Sequence, residues 1–503
     1  MKTLMDQHVL VLGLGISGLA MARWCVRLGA DVTVVDTRSV PPQLEALNND
    51  LPSAHFIHSE FSASLIDKNS FNLLLVSPGI KPEELEPILL LAKAQGLNVG
   101  GELTLFSSAL ASLKESQAYV PCVLAITGTN GKTTVTSLTG KLIECAGKTV
   151  AVAGNIGPSL LDTLTHKLDT QGLPQVWVLE LSSFQLNEAN EFEPTAGVVL
   201  NITQDHLDWH GTMQAYARAK SFVFGSTATM VLNREDSVVM QMLLPASKVT
   251  KARKFLTFGG DMPKRAGDYG LELINGMTWL VRAINADETK IKRRGIDTQV
   301  EDDIFIQRLM PSDALRIRGR HNAVNALVAL ALAELAGCSL APMLYGLRKY
   351  QGEPHRVESI GIIKGVEYFD DSKGTNVGAT VAALTGLGVD RKVVIILGGV
   401  SKGQNFSPLA SPVSQFARAV VLIGKDKLMI STALHDVAVP ILTADTMVDA
   451  VSKAAEYAHV GDVVLLSPAC ASFDMYENYE HRAQVFYEAV KQEAFDAGES
   501  IAS

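Results

Sequence analysis

The run Val123-Leu124-Ala125-Ile126-Thr127-Gly128-Thr129-Asn130-Gly131-Lys132-Thr133-Thr134 puts an apolar strand, Val123 to Ile126, in front of a glycine loop. Lys132 to Ala146 then has helical spacing and is closed by Gly147. A strand that turns through glycines into a helix leaves free backbone N–H groups at the positive end of the helix dipole, which is a cradle for phosphate oxygens. Gly128 and Gly131 let the backbone approach without a Cβ in the way, Lys132 reaches the terminal phosphates, and Thr133 offers a hydroxyl to magnesium. Thr129, Asn130 and Thr134 complete the loop. The pattern departs from the ordinary P-loop, because Ile126 rather than glycine stands six residues before the lysine. A nucleotide is the ligand this arrangement predicts, and a plain helix N-cap is the alternative.

Downstream, strands are expected at Thr149 to Ala153, Val176 to Leu181 and Gly197 to Asn201, and an alanine-rich helix at His321 to Ala336. A hard cation bridging phosphates needs oxygen or imidazole ligands at neighbouring strand ends. Glu180 ends one of these strands, and Asn201, Asp205 and His206 follow another. Each taken singly reads as a solvated carboxylate or a satisfied histidine; their common place beside the loop is what suggests a metal. Lys220, on a helix expected from Ala215 to Phe224, reads from spacing alone as an exposed helical lysine. Residues 245 to 305 are polar and irregular, and are assigned only as strands or an insertion.

Upstream, the strand His8 to Leu12, the helix Ser17 to Leu28 and the strand Asp31 to Val35 make a βαβ start with Gly13, Gly15 and Gly18 at its turn and Asp36 eighteen residues past the last glycine. Taken alone this fingerprint suggests NAD or FAD. Strands at Asn72 to Val76 and Leu97 to Val99 extend the unit to residue 117, with Ser107 to Gln117 small and polar enough for a linker. A third unit is expected after Gly352-Glu353-Pro354, with strands at Val366 to Asp370, Lys392 to Leu397, Ala419 to Ile423 and Asp462 to Leu466. The fold class expected is α/β in three domains, 1–117, 118–352 and 353–503: Rossmann-like, central P-loop ATPase-like, and Rossmann-like again.

Composition fits. The 503 residues are too many for one core, and 47% hydrophobic with 19% charged is the balance of a folded globular chain. A net charge of -9 argues against a nucleic-acid partner, and the basic runs Lys248 to Lys254 and Lys290 to Arg294 read as solvated faces. Five cysteines without C-x-x-C spacing indicate neither a zinc knuckle nor a disulfide framework and suit the cytoplasm. Val9 to Ala22 has the look of a signal peptide, but its glycine spacing has its own mechanical use and no apolar run reaches the ~20 residues of a membrane span, so no membrane partner is expected.

Together the loop Gly128 to Thr134, Glu180 in Glu180-Leu181-Ser182-Ser183-Phe184-Gln185 and His206 in Asn201-Ile202-Thr203-Gln204-Asp205-His206-Leu207-Asp208 resemble the Mur ligase family. The resemblance implies a cytoplasmic ATP-dependent ligase of peptidoglycan precursor synthesis, a monomer, that joins an amino acid to a UDP-linked carboxylic acid. It implies magnesium, two ions, on Thr133, Glu180, His206 and Lys220, the last carbamoylated in Tyr216-Ala217-Arg218-Ala219-Lys220. Asn322, Asn325, Arg356 and Asp371 join the loop as ATP contacts, with Lys132, His206, Lys220 and Arg356 the catalytic set. Asp371-Ser372-Lys373-Gly374-Thr375-Asn376 resembles the members that add D-glutamate to UDP-N-acetylmuramoyl-L-alanine. On that likeness Lys373, Thr375, Lys402, Ser472, Phe473 and Tyr479 hold D-glutamate. Asp36 and Thr37 lie near uracil, Ser17 and Arg38 near phosphate, and Ser77, Gly79, Asn155 and Ser182 complete the UDP-substrate site.

Four other readings stay open at this point: a sister ligase for another amino acid, a folylpolyglutamate-type ligase, a nicotinamide oxidoreductase built on Gly13 to Asp36, and an ATP-binding switch without catalysis.

Overall fold

The computed structural model describes residues 3–67, 71–187, 189, 191–245, 252–286, 304–389 and 391–501. Among them the chain forms three sheets. The first comprises β1 (His8–Leu12), β2 (Asp31–Asp36), β3 (His55–His58), β4 (Leu73–Val76) and β5 (Asn98–Gly100), all parallel in the order β3-β2-β1-β4-β5. Val9 to Leu12 are all buried because helices cover both faces of a parallel sheet. Strand order reverses at β1, so the crevice between β1 and β4 opens at their carboxyl ends, where the Gly13–Gly18 turn and Ser77–Ile80 lie. Gly18 is obligatory there: a Cβ on it would stand 2.0 Å from the Gly13 carbonyl oxygen.

The central sheet contains β6 (Cys122–Thr127), β7 (Val150–Gly154), β8 (Val176–Glu180), β9 (Ala196–Val199), β10 (Thr229–Asn233), β11 (Phe255–Phe258), β12 (Tyr269–Ile274), β13 (Met277–Asn285) and β14 (Ile304–Pro311). Its order is β14-β13-β12-β11-β10-β9-β6-β8-β7. β6 runs parallel between β8 and β9, with Ile126 opposite Glu180 and Thr127 opposite Val199, so the glycine loop emerges beside the ends of both neighbours. The irregular stretch from 245 resolves into β11 and an antiparallel extension, β12 to β14, that lengthens this sheet; residues 246–251 and 287–303, including Lys290 to Arg294, lie outside the described residues. The third sheet comprises β15 (Glu358–Ile363), β16 (Val366–Asp370), β17 (Val393–Gly398), β18 (Ala417–Ile423), β19 (Ile441–Thr443) and β20 (Val463–Leu466) in the order β15-β16-β20-β17-β18-β19, parallel except for β15.

One expectation fails. Ser107 to Gln117 is not a linker but the body of the helix Glu102–Gln117. Phe106, Ala109 and Leu113 are buried at helical spacing beneath the small polar residues that suggest a loop, and Phe106 meets Trp177 of β8 edge-on at 5.1 Å. The helix on which Lys220 lies also stops sooner than its apolar pattern, at Ser221, and Phe222–Phe224 tightens into a 3₁₀ turn. No helix among the described residues is long and apolar enough to cross a membrane.

Candidate active site

Gly131, at φ 84°, caps the helix Lys132–Cys145, and Gly128, at φ 153°, has no room for a side chain, since a Cβ would stand 2.8 Å from that of Leu200. The Lys132 ammonium donates to the carbonyls of Gly128 and Thr129, both at 2.9 Å. Burial lowers its pKa against the pull of Glu180 and Asp205. Beyond β9, Asn201 accepts the Asn130 N–H at 2.9 Å and donates back to the Asn130 carbonyl at 3.1 Å, and Thr129 lies 3.1 Å from the Tyr216 hydroxyl. Neighbouring strand ends thus fix the loop from the side.

Glu180, 1% exposed, accepts from Asn155 at 2.8 Å through Oε1, while Oε2 is buried without a hydrogen-bond partner. An orphaned carboxylate oxygen at the mouth of a phosphate cradle suits a divalent cation. His206 follows β9 with its backbone at φ 52° and its Nε2 3.6 Å from Asp205; burial lowers its pKa and keeps the imidazole in the neutral form that binds metals. Lys220 is 2% exposed, not an exposed helical lysine. It donates to the Gly128 carbonyl at 2.9 Å and to Thr127 Oγ1 at 3.2 Å, and burial, then the charge of Lys132, push its pKa well down. Its burial was invisible to spacing because the apolar stripe of that helix is short.

From the third domain Arg356 reaches across to donate to Thr133 Oγ1 at 2.5 Å. It lines a cleft with Asn130, Gly131, Asn322, Asn325 and Asp371. Asn325 donates to Asn322 Oδ1 at 3.1 Å, and Asp371, whose carboxyl burial raises to about 7, accepts from Ser467 at 2.6 Å. The expected ATP contacts therefore converge. Asn376, absent from that expected set, caps the helix Val377–Gly388 through Oδ1 and donates from Nδ2 to Asn130 Oδ1 at 3.0 Å.

The expected D-glutamate residues gather less completely. Lys373 sits 3.5 Å over the Tyr479 ring, and burial, then the Arg356 charge, bring its pKa down to about 8. The Thr375 carbonyl accepts from Gln404 at 3.4 Å, and Lys402 is exposed yet close enough for its charge to act on His206. Ser472 is buried, whereas Phe473 is 71% exposed. Sequence reasoning missed Arg482, one charge among several on a long helix: it is 1% exposed and donates to Ser372 Oγ, the Ser372 carbonyl and the Cys470 carbonyl, tying two pocket loops together.

In the first domain Asp36 is buried and accepts the Leu14 N–H at 2.7 Å and both ends of Arg38 at 2.8 Å; burial alone would raise its carboxyl, and these bonds outweigh it and hold it down at about 2. Thr37 follows, half-buried. The Ser17 side chain hydrogen-bonds to Glu102, a 3% exposed carboxylate that also accepts the Leu161 N–H at 3.1 Å. Ser77 and Gly79 line a cleft with Glu102, Phe184 and Trp209, and Ser182 lies beside it, bonded to Gln185 at 3.1 Å.

Comparison with known proteins follows this geometry. Residues 7–101 match the Mur ligase MurD-like N-terminal domain, 126–333 the Mur ligase middle domain, and 355–470 the Mur ligase glutamate ligase domain. The chain is 61% identical over 502 residues to a UDP-N-acetylmuramoylalanine–D-glutamate ligase of Albidiferax ferrireducens, covering 99% of this chain and 98% of the relative. It is 53% identical over 500 residues to the protein of that name from Burkholderia thailandensis, covering 98% of each. Among solved structures, the MurF ligase from Thermotoga maritima in complex with ADP matches 97% of this chain and 96% of its own with TM-score 0.56 at 16% identity. The UDP-N-acetylmuramate-alanine ligase MurC of the same organism matches 97% and 100% with TM-score 0.53 at 20% identity. Those two share the three-domain fold; the identities above 50%, end to end, reach further, and with three family domains in the order that the sheets follow, this chain belongs to the Mur ligase family.

Proposed function

We infer that the chain joins D-glutamate to the L-alanyl carboxylate of UDP-N-acetylmuramoyl-L-alanine with conversion of ATP to ADP and phosphate, a step of peptidoglycan precursor synthesis. The observation that carries this reading is the end-to-end identity with ligases of that name. The contact of Arg356 with Thr133 supports it chemically, because it brings cations from two domains to one phosphate position.

A carboxylate is inert toward an amine because oxide is a poor leaving group. Its oxygen therefore attacks the γ-phosphorus of ATP, ADP leaves, and an acyl phosphate forms. The free amine of D-glutamate adds to the acyl carbon, and the tetrahedral intermediate expels phosphate as the amine proton is lost. Lys132 and Arg356 neutralise the charge that grows on the transferred group, with the N–H groups of Gly128 to Thr134 as fixed donors. Asn322, Asn325 and Asp371 hold the nucleotide. Lys373, Thr375, Lys402, Ser472, Phe473 and Tyr479 form the acceptor pocket, where Lys402 meets a carboxylate of D-glutamate. Ser17, Asp36, Thr37, Arg38, Ser77, Gly79, Asn155 and Ser182 hold the UDP substrate.

Thr133, Glu180, His206 and Lys220 would hold magnesium, two ions in all, and the orphaned Glu180 oxygen supports that donor set. Bound magnesium supplies charge neutralisation on the phosphate oxygens. Burial favours the neutral amine of Lys220, which can add carbon dioxide and lose a proton to become a carbamate, turning a repelling cation into a ligand. The units 1–117, 118–352 and 353–503 act as donor, ATP and acceptor domains of a cytoplasmic monomer without nucleic-acid or membrane partners.

The test is release of ADP and phosphate with Mg-ATP and UDP-N-acetylmuramoyl-L-alanine, comparing D-glutamate with L-glutamate, L-alanine and no amino acid. Release with D-glutamate alone is expected. Release with another amino acid would keep the ligase and reassign its acceptor pocket, and no release with any would overturn the reading.

A further inference from the structure

His206 and Trp209 belong to one short turn, since the Trp209 N–H donates to the His206 carbonyl at 3.1 Å at the start of the helix Leu207–His210. The indole N–H of Trp209 leaves that turn and donates to the Ile80 carbonyl of the first domain at 2.8 Å. Its ring packs on Phe184, centroids 4.9 Å apart, and Phe184 meets the His206 ring edge-on at 4.8 Å. Phe184 and Trp209 also wall the cleft that contains Ser77 and Gly79. One indole thus touches the cleft, the loop beneath it and the ring against which the histidine rests. His206 needs that support, because its backbone at φ 52° is disfavoured for a residue with a Cβ and is held by its surroundings.

We propose that Trp209 is a positioning residue that binds the donor-substrate loop to the orientation of His206, so that filling the first-domain cleft and aligning the metal-binding imidazole are one event. This rests on the reading that gives the Ser77–Gly79 cleft to the UDP substrate and His206 to magnesium. The indole N–H fixes the backbone next to Gly79, a residue at φ 94° around which a side chain would meet only open space. The indole face fixes Phe184, and Phe184 limits the rotation of the imidazole.

Two variants separate the parts. Trp209→Phe keeps a ring against Phe184 and loses the N–H; Trp209→Ala loses both. Steady-state kinetics of the full chain would give KM for UDP-N-acetylmuramoyl-L-alanine, ATP and D-glutamate, with the half-saturating magnesium concentration. Trp209→Phe should raise KM for the UDP substrate about threefold to tenfold, the worth of one hydrogen bond, and leave KM for ATP within about twofold. Trp209→Ala should in addition raise the half-saturating magnesium concentration. A UDP-substrate KM unchanged in Trp209→Phe, or all three KM values rising together, would overturn the proposal. Should the alanine variant fail to fold, binding without turnover decides: calorimetric titration of the UDP substrate alone should give a Kd about threefold to tenfold weaker in Trp209→Phe than in the wild type, and an equal Kd in both would count against the role. His206→Ala is the separate control, because an unchanged magnesium requirement there would remove the metal reading itself.

Discussion

Between the first and central domains the chain buries Trp24, Phe106, Leu161 and Trp177 in one continuous apolar core, with Arg27 paired to Asp169 at 2.6 Å on its rim. Between the central and third domains it sets polar atoms face to face: Asn130 against Asn376, Thr133 against Arg356, and Gly378 so close to Thr203 that a Cβ would stand 2.8 Å from its hydroxyl. Apolar burial is lost only when a whole surface is exposed to water, whereas hydrogen bonds exchange for water at small net cost. The first seam is therefore built to persist and the second to part and re-form, and a closing motion is expected at the second.

The largest effect should come from attacking the persistent seam. Phe106→Ala should cost roughly 3–5 kcal/mol of stability and lower the melting of the first and central domains together; a variant whose first domain melts alone would show that the seam is not one cooperative unit. Arg356→Ala attacks the other seam and should lower kcat about 100-fold to 1000-fold with the melting temperature nearly unchanged. A large loss of stability there would contradict the contrast.

Asp371 gives the polar seam a pH signature. Its carboxyl titrates near 7 in the folded protein against about 4 when unfolded, so the folded state holds the proton more tightly and loses stability as pH rises from about 4 to about 7. Asp371→Asn should therefore gain on the wild type over that window, by roughly 1–2 kcal/mol at its upper end, measured as melting temperature against pH. A gap that stays flat would refute the assignment. Smaller again, Asn376→Asp keeps the helix cap but puts a negative charge before Asn130 Oδ1 and Asp205, and should cost about 1 kcal/mol of nucleotide affinity by titration calorimetry without changing the melting curve. Arg27→Ala, at the rim of the apolar seam, should cost less than about 1 kcal/mol.

The two glycine loops, the strands that feed them and the metal candidates at Glu180 and His206 were legible because each is local: a turn, a strand end, a residue type. The seams were not. The helix Glu102–Gln117 reads as a linker because the stripe Phe106, Ala109, Leu113 makes sense only against Trp177, a partner 71 residues beyond Phe106. Lys220 reads from spacing as a surface charge and Arg482 draws no reading at all, because what buries them comes from other elements. Asn376 was visible within a motif, but its bond to Asn130 spans 246 residues and two domains. Where chemistry is set by neighbours in sequence it can be read from the chain; where it is set by docking, only the fold reveals it.

Glu102 has a consequence for the choice of ligand. Buried under Ser17 and accepting the N–H of Leu161, it is a carboxyl that burial pushes toward the neutral form, placed below the very turn whose glycines mimic a dinucleotide site. A pyrophosphate settling deep over that turn would set its oxygens against those of a carboxyl group already engaged by Ser17 and Leu161. The first domain thus has the outline of a nicotinamide site with an acid already filling its floor, and a UDP-linked ligand is expected to lay its phosphates on the outer lip, toward Arg38.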